Sequence, residues 1–279
     1  MSKLIPNDTI LRKYLPNQVI TVKGEMSLYD KLAPSLDFAE HWAVETFLSE
    51  STASRIAGYS DSNPLLNITR TVVATEALRL GLPSLDLVLT PNGFGIVSNQ
   101  TLSPASKERV DRLLGNLEVR RDAAIDSMIP LLVDAHAWRT TEQCRWFAQT
   151  LFPSPKSLKA CISADRRWED FLRLRPKIIN IEESLAAEYF SPELMETLRR
   201  YALGIAEDTT PRFMLLSGIR SIVAEAVAGN PVPEKRCLDL VDFVRQLPKE
   251  FPEWHRSDVA RLFDPPVFEN KKKASGYFF

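Results

Sequence analysis

Apolar residues recur at intervals of three and four along most of the chain, and Ser-Pro or Thr-Pro pairs open several of those runs. Together these commit the backbone to helices. A period near 3.6 puts the apolar side chains on one face. The Ser or Thr caps the first turn, where proline's missing N–H costs little. Leu36, Ala39, Ala43 and Phe47 predict a helix over 35–49, with Pro34 in its first turn and Ser27–Asp30 as a capping box ahead of it. Ile68, Val72, Thr75 and Leu78 predict a second over 63–80, stopped by Gly81 and Pro83. Ser103-Pro104 opens a run that continues to Val133, as one long helix or as two with a break near Gly115. Thr141, Ser191-Pro192 and Thr210-Pro211 begin further helices, and Cys237, Leu240, Val241 and Val244 mark a later one.

One stretch departs from this pattern. In DLVLTPNGFGIVSN, strand-forming residues flank Asn92-Gly93, a pair that tolerates the positive φ of a tight hairpin. A β-hairpin near 86–98 is therefore expected. Its glycines also admit a phosphate-loop reading. However, Gly93-Phe94-Gly95 is followed by Ile96-Val97-Ser98, with no third glycine and no Gly-Lys-Ser/Thr. The structural reading is the stronger, with Asn92, Gly93 and Phe94 as a contact tip.

The second half of the chain resembles the first at a few positions, which reads as an internal duplication or as chance likeness between helical sequences. Leu32-Ala33-Pro34 aligns with Leu174-Arg175-Pro176 at a shift of 142 residues, which also pairs Leu36 with Ile178, Glu40 with Glu182, Phe47 with Tyr189 and Ser49 with Ser191. VVATEA (72–77) resembles IVAEA (222–226). The expected fold class is mostly α, built from two related multi-helix units with one hairpin. The expected divisions are an N-terminal arm (1–25) with a short helix near Asp8–Tyr14, a helical unit with the hairpin (26–151), a second helical unit (152–263) and a C-terminal tail (264–279). The segment FPSPKS (152–157) reads as the linker. The tail ends in Tyr277, Phe278 and Phe279 behind three lysines, a composition suited to ordering on a partner.

Composition narrows the function. Lys and Arg total 35 against 36 Asp and Glu, so no global charge draws the chain to nucleic acid or anionic membrane. No window holds eighteen apolar residues, and the N-terminus lacks a secretory leader's apolar run, so a cytoplasmic protein is expected. Cys144, Cys161 and Cys237 form neither a disulfide framework nor a zinc motif. Asp134, His136, Glu142 and Cys144 lack paired metal-ligand spacing, so neither metal nor cofactor is expected. Arg120-Arg121 and the Arg166–Lys177 cluster are interrupted by acids and read as paired surface charge; Glu182-Glu183 reads as a solvated helix face.

Two stretches, DLVLTPNGFGIVSNQTLSPASKERVDRLL and WEDFLRLRPKIINIEESL with FSPELMETLRR, resemble a family encoded in Bacteroidetes genomes, often in prophage-like regions. The resemblance rests on Leu89-Thr90 with Gly93, on Pro104-Ala105-Ser106, and on Phe171-Leu172-Arg173-Leu174-Arg175-Pro176. It would cover roughly 80–270 and brings no catalytic residues. The helical unit around 27–80 also resembles head–tail connector adaptors of phages. The resemblance implies a non-enzymatic virion structural or assembly protein at the neck, with itself, portal or neck proteins as partners and the virion as destination. Two rivals stand beside it: a cytoplasmic protein-binding module, and an enzyme using Cys144 with His136 or Asp134, which requires those groups to converge in one cleft.

Overall fold

The computed structural model describes residues 4–15, 26–85, 87–90, 93–96, 106–159, 168–206 and 209–264. The first half runs α1 (Asp8–Tyr14), α2 (Leu28–Ala43), a π-helical turn (Val44–Leu48), α3 (Glu50–Ala57) and α4 (Pro64–Gly81). After strands β1 (Leu87–Thr90) and β2 (Gly93–Ile96) come α5 (Lys107–Asp134), a 3-10 turn (His136–Thr140) and α6 (Glu142–Phe147). The second half runs α7 (Pro155–Lys159), α8 (Trp168–Leu185), a π-helical turn (Ala186–Phe190), α9 (Pro192–Leu203), α10 (Thr210–Val227), α11 (Glu234–Arg245), α12 (Pro252–His255) and α13 (Asp258–Phe263).

The fold class is all-helical, which corrects the hairpin's expected place in the architecture. β1 and β2 pair only with each other, from Leu87–Ile96 to Thr90–Gly93, and no third strand joins them among the described residues. Two strands of four residues cannot form a layer for helices to pack on. The described buried core is drawn from helices and the turns between them.

The two halves repeat the same bonds. Both long helices, α2 and α8, carry a proline on an exposed face, Pro34 and Pro176, inside the helix rather than in its first turn. There, the carbonyl that the proline leaves unbonded can turn to water. Both helices end in a π-helical turn and then in a serine at positive φ, 68° at Ser49 and 62° at Ser191. These are the only non-glycine residues at positive φ among those described. Glycine would relieve the strain, but it would lose the cap: Ser49 Oγ accepts from Thr52 N–H at 3.4 Å and Ser191 Oγ from Leu194 N–H at 3.2 Å.

Each helix end also leaves carbonyls without an intrahelical donor. The Trp138 indole N–H donates to Phe47 O at 2.6 Å, and Trp254 donates to Tyr189 O at 2.8 Å. Three residues after each tryptophan stands the next helix cap. Thr141 and Ser257 donate to Trp138 O and Trp254 O, each at 2.7 Å, and accept from Cys144 N–H and Ala260 N–H, each at 3.2 Å.

The repeat starts earlier than the sequence suggested. Leu4-Ile5-Pro6 with cap Asn7 and α1 is matched by Leu151-Phe152-Pro153 with Ser154 and α7. Glu40 Oε2 accepts from Leu4 N–H at 3.1 Å, and Arg70 Nε donates to Leu4 O at 2.9 Å. Glu182 Oε1 accepts from Leu151 N–H at 2.8 Å, and Arg220 Nε donates to Leu151 O at 2.8 Å. Residues 151–155 are therefore buried and do not form an exposed linker, and Leu4, Ile5, Leu11 and Leu15 belong to the core rather than to a free arm. The halves differ between α4 and α5, where the first carries β1, β2 and a 28-residue α5; the second passes almost directly into α11, of 12 residues. α5 is unbroken at Gly115.

Trp138→Phe and Trp254→Phe should each lower stability by about 1–3 kcal/mol, because each takes the indole donor from a helix-end carbonyl, buried at Phe47 and half-buried at Tyr189. Urea unfolding measures both. No loss in either variant would show that the indole bonds do not hold the π turns.

Candidate functional site in the seam between the two units

The sequence puts three aromatic side chains of the first unit on one surface: Phe47 at the π turn, and Trp146 and Phe147 on α6. Trp168, the first residue of α8, plugs into them. Its ring lies 5.1 Å from Phe47, 6.2 Å from Trp146 and 6.4 Å from Phe147, and the residue is 2% exposed. One turn further along α8, Phe171 extends the cluster, its ring 5.6 Å from that of Trp168. Arg175 lies over the Trp146 ring at 3.6 Å, donates to Trp146 O, and donates to Gln149 Oε1 at 3.1 Å. Burial pushes its guanidinium down to about 10, so it stays charged at neutral pH.

A buried charge cluster closes the same seam. Arg121 on α5 is fully buried and holds Glu76 at 3.0 Å, Asp122 at 2.8 Å and Glu169 at 2.8 Å. Asp122 Oδ2 in turn accepts from Trp168 N–H at 2.9 Å. Burial alone would lower the Arg121 pKa, but its carboxylate partners outweigh that and raise it. One guanidinium thus ties α4 and α5 of the first unit to α8 of the second. The expectation of paired surface charge at Arg121 and Arg175 is corrected: both are buried, Arg121 among carboxylates and Arg175 against Trp146 and Gln149.

Glu182 is corrected as well. It is fully buried, with Arg199 Nε at 2.9 Å from Oε2 in addition to the Leu151 N–H. Burial pushes its carboxyl from 4.5 up to about 7, against the opposing pull of Arg199, the Leu151 N–H and Arg175. The sequence did hold the signal, since the 142-residue shift pairs Glu182 with Glu40 one turn beyond the buried Leu36 and Ile178.

Beside the seam, a cleft of about 570 Å³ opens between α6 and α9. Arg139, Arg145 and Arg200 line it, with Glu196, Thr140, Cys144, Ala148 and Ile205. Arg139 is held in place by its Nε–H bond to Val133 O at 2.7 Å. Among the described residues, Arg145 and Arg200 have no ion-pair partner. Three guanidinia against one carboxylate suit a carboxylate- or phosphate-bearing group. Residues 55 positions apart form this cleft, and no local motif announced it.

The residues singled out for nucleophilic chemistry do not come together. Cys144 is buried in that cleft, and desolvation pushes its thiol up despite nearby Arg139 and Arg200, which disfavours the thiolate. His136 is absent from the cleft wall; its Nδ1 lies 3.1 Å from Asp134 O on the exposed side of the 3-10 turn. Cys237 is a buried thiol pushed up to about 11. His41 is exposed and lies 3.0 Å from Glu45. Gly93 and Phe94 fall in β2. Asn92, Cys161, Tyr277, Phe278 and Phe279 lie outside the described residues. Among the described residues, no group of three or more His, Cys, Asp or Glu is placed to hold a metal, and no helix is long and apolar enough to cross a membrane.

Residues 20–148 match a family of unknown function (DUF6712). The match covers under half of the chain and stops one residue after α6, the last helix of the first unit. No curated protein and no solved structure matches the chain.

Two outcomes are expected. Arg121→Met should destabilise the protein by about 3–5 kcal/mol, because Asp122 stays buried without its cation and Glu76 keeps only Arg79; chemical unfolding measures it. Glu182 binds its proton more tightly when folded, so its contribution to stability is full below pH 4.5 and fades as pH rises through about 7. Glu182→Gln should therefore flatten the fall in unfolding free energy across that window; an unchanged slope would place the buried proton elsewhere.

Proposed function

We propose that the protein is a non-enzymatic assembly protein of a phage or prophage particle, working at the neck between head and tail. The observation that carries the assembly reading is the display of large apolar side chains on a rigid helical body. Phe38 on α2 is 62% exposed, Phe213 and Met214 in the first turn of α10 are 57% and 55% exposed, and Leu262 on α13 is 73% exposed. Helices anchored by buried clamps keep such side chains at fixed positions, where a partner can bury them without first ordering the chain. The neck assignment draws on the resemblance to prophage-encoded proteins and connector adaptors. The arginine-lined cleft supports a second reading, a binding module that takes an acidic segment of another protein.

Mass spectrometry of particles purified after prophage induction tests the proposal. The chain should be present at a fixed number of copies per particle, and its deletion should lower the yield of tailed particles. Its absence from particles, together with normal yield in the deletion strain, would overturn the particle role and leave the binding module standing.

A further inference from the structure

The seam between the two units has a plug side and a socket side, and each has a counterpart at an outer end of the molecule. Trp168 is the plug. The shift of 142 that relates α2 to α8 places Met26 at its counterpart (168 − 142 = 26). Trp146 belongs to the socket. The shift of 116 that relates Trp138 to Trp254 and Thr141 to Ser257 places Leu262 at its counterpart (146 + 116 = 262). The remaining socket residues, Phe47 and Phe147, correspond to Tyr189 and Phe263, whose rings already lie 6.5 Å apart.

Neither counterpart is covered. Met26 is 65% exposed and Leu262 is 73% exposed, the two most exposed large apolar side chains among the described residues. This decides how the units are related. Under a two-fold relation, Met26 would meet Leu262 as Trp168 meets Trp146, and both would be buried. Their exposure makes the relation head-to-tail, a heterologous contact that leaves one plug and one socket free. Phe38 extends the plug side: it lies twelve residues beyond Met26, and its counterpart Asn180 shares a groove at the seam with Trp146 and Arg175.

We infer that the partner for these ends is a second copy of the same chain. Met26 and the outer face of α2 of one copy seat against Leu262, Phe263 and Tyr189 of the next. The contact repeats between copies the seam found within each. It is weaker than that seam, because methionine replaces tryptophan and Ser27 stands where Glu169 reaches Arg121. Association is therefore concentration-dependent. The inference deepens the assembly reading by naming the partner, and rests on that reading only in taking association as the protein's work.

Two single variants of the full chain, Met26→Cys and Leu262→Cys, test it in a Cys161→Ser background; Cys144 and Cys237 are buried. A short bis-maleimide is added to each alone and to their mixture. The mixture should give a 26–262 crosslinked dimer, with each variant alone giving far less. Sedimentation of the wild type should show mass rising with concentration, and Leu262→Glu should abolish the rise while leaving the helical circular dichroism signal intact. Predominant 26–26 or 262–262 crosslinks would overturn the inference in favour of a face-to-face dimer. A wild type that stays monomeric, together with no 26–262 product from the mixed variants, would overturn it outright. A 26–262 product from a protein absent from particles would support the head-to-tail contact and fail the particle role alone.

Discussion

A single leucine residue in each unit, gripped at both its backbone N–H and its C=O, ties the opening segment to the helices behind it. The N–H of Leu4 or Leu151 is taken by a carboxylate, and its C=O by an arginine. A carboxylate taken out of water is costly unless donors surround it, and a buried peptide is costly unless both of its groups are bonded. The clamp meets both requirements at once. It also fixes geometry: the glutamate comes from the long π-ended helix and the arginine from the proline-capped helix that follows. With those two helices held against the opening segment, the π turn, its positive-φ serine and the tryptophan that caps it fall into place.

Much of this was readable in the sequence, for identifiable reasons. Helix α4 was expected over 63–80 and spans Pro64–Gly81, because its buried stripe is regular and Gly81 and Pro83 close it. The correspondence of Glu40 with Glu182 and of Ser49 with Ser191 was visible from residue spacing. The chemistry of those residues was not. A glutamate in a run of charges looks solvated, and only a distant backbone N–H, arriving from residues 31 or 36 positions earlier, shows that it is buried. Arg121 misled in the same way, since its partners Glu76 and Glu169 are far away in sequence. FPSPKS carries the composition of a linker. Its prolines instead shape a buried opening segment, like Pro6 in the first unit. The arginine cleft was illegible because α6 and α9 meet only through tertiary packing.

The seam separates two kinds of charge use. Arg121 and Arg175 are consumed in joining the units, each stacked or bonded on several sides. Arg145 and Arg200 stand on the cleft wall, with no ion-pair partner among the described residues. The second unit shows what Arg145 would otherwise do: its counterpart Arg261 is bonded to Asp258 at 2.7 Å. The first unit has Glu142 at the matching position, but no such pair forms among the described residues. The cleft thus keeps its positive charge through local geometry.

The tryptophan plug also sets an order of events at the ribosome. The first unit is complete at Phe147, but the side chain that covers its aromatic socket is Trp168, about twenty codons later. At roughly 5–20 residues per second, the nascent first unit stands for a second or more with Phe47, Trp146 and Phe147 open to water. On a polysome, the neighbouring nascent chains present the same aromatic side chains, so prompt emergence of Trp168 is what keeps the seam within one molecule.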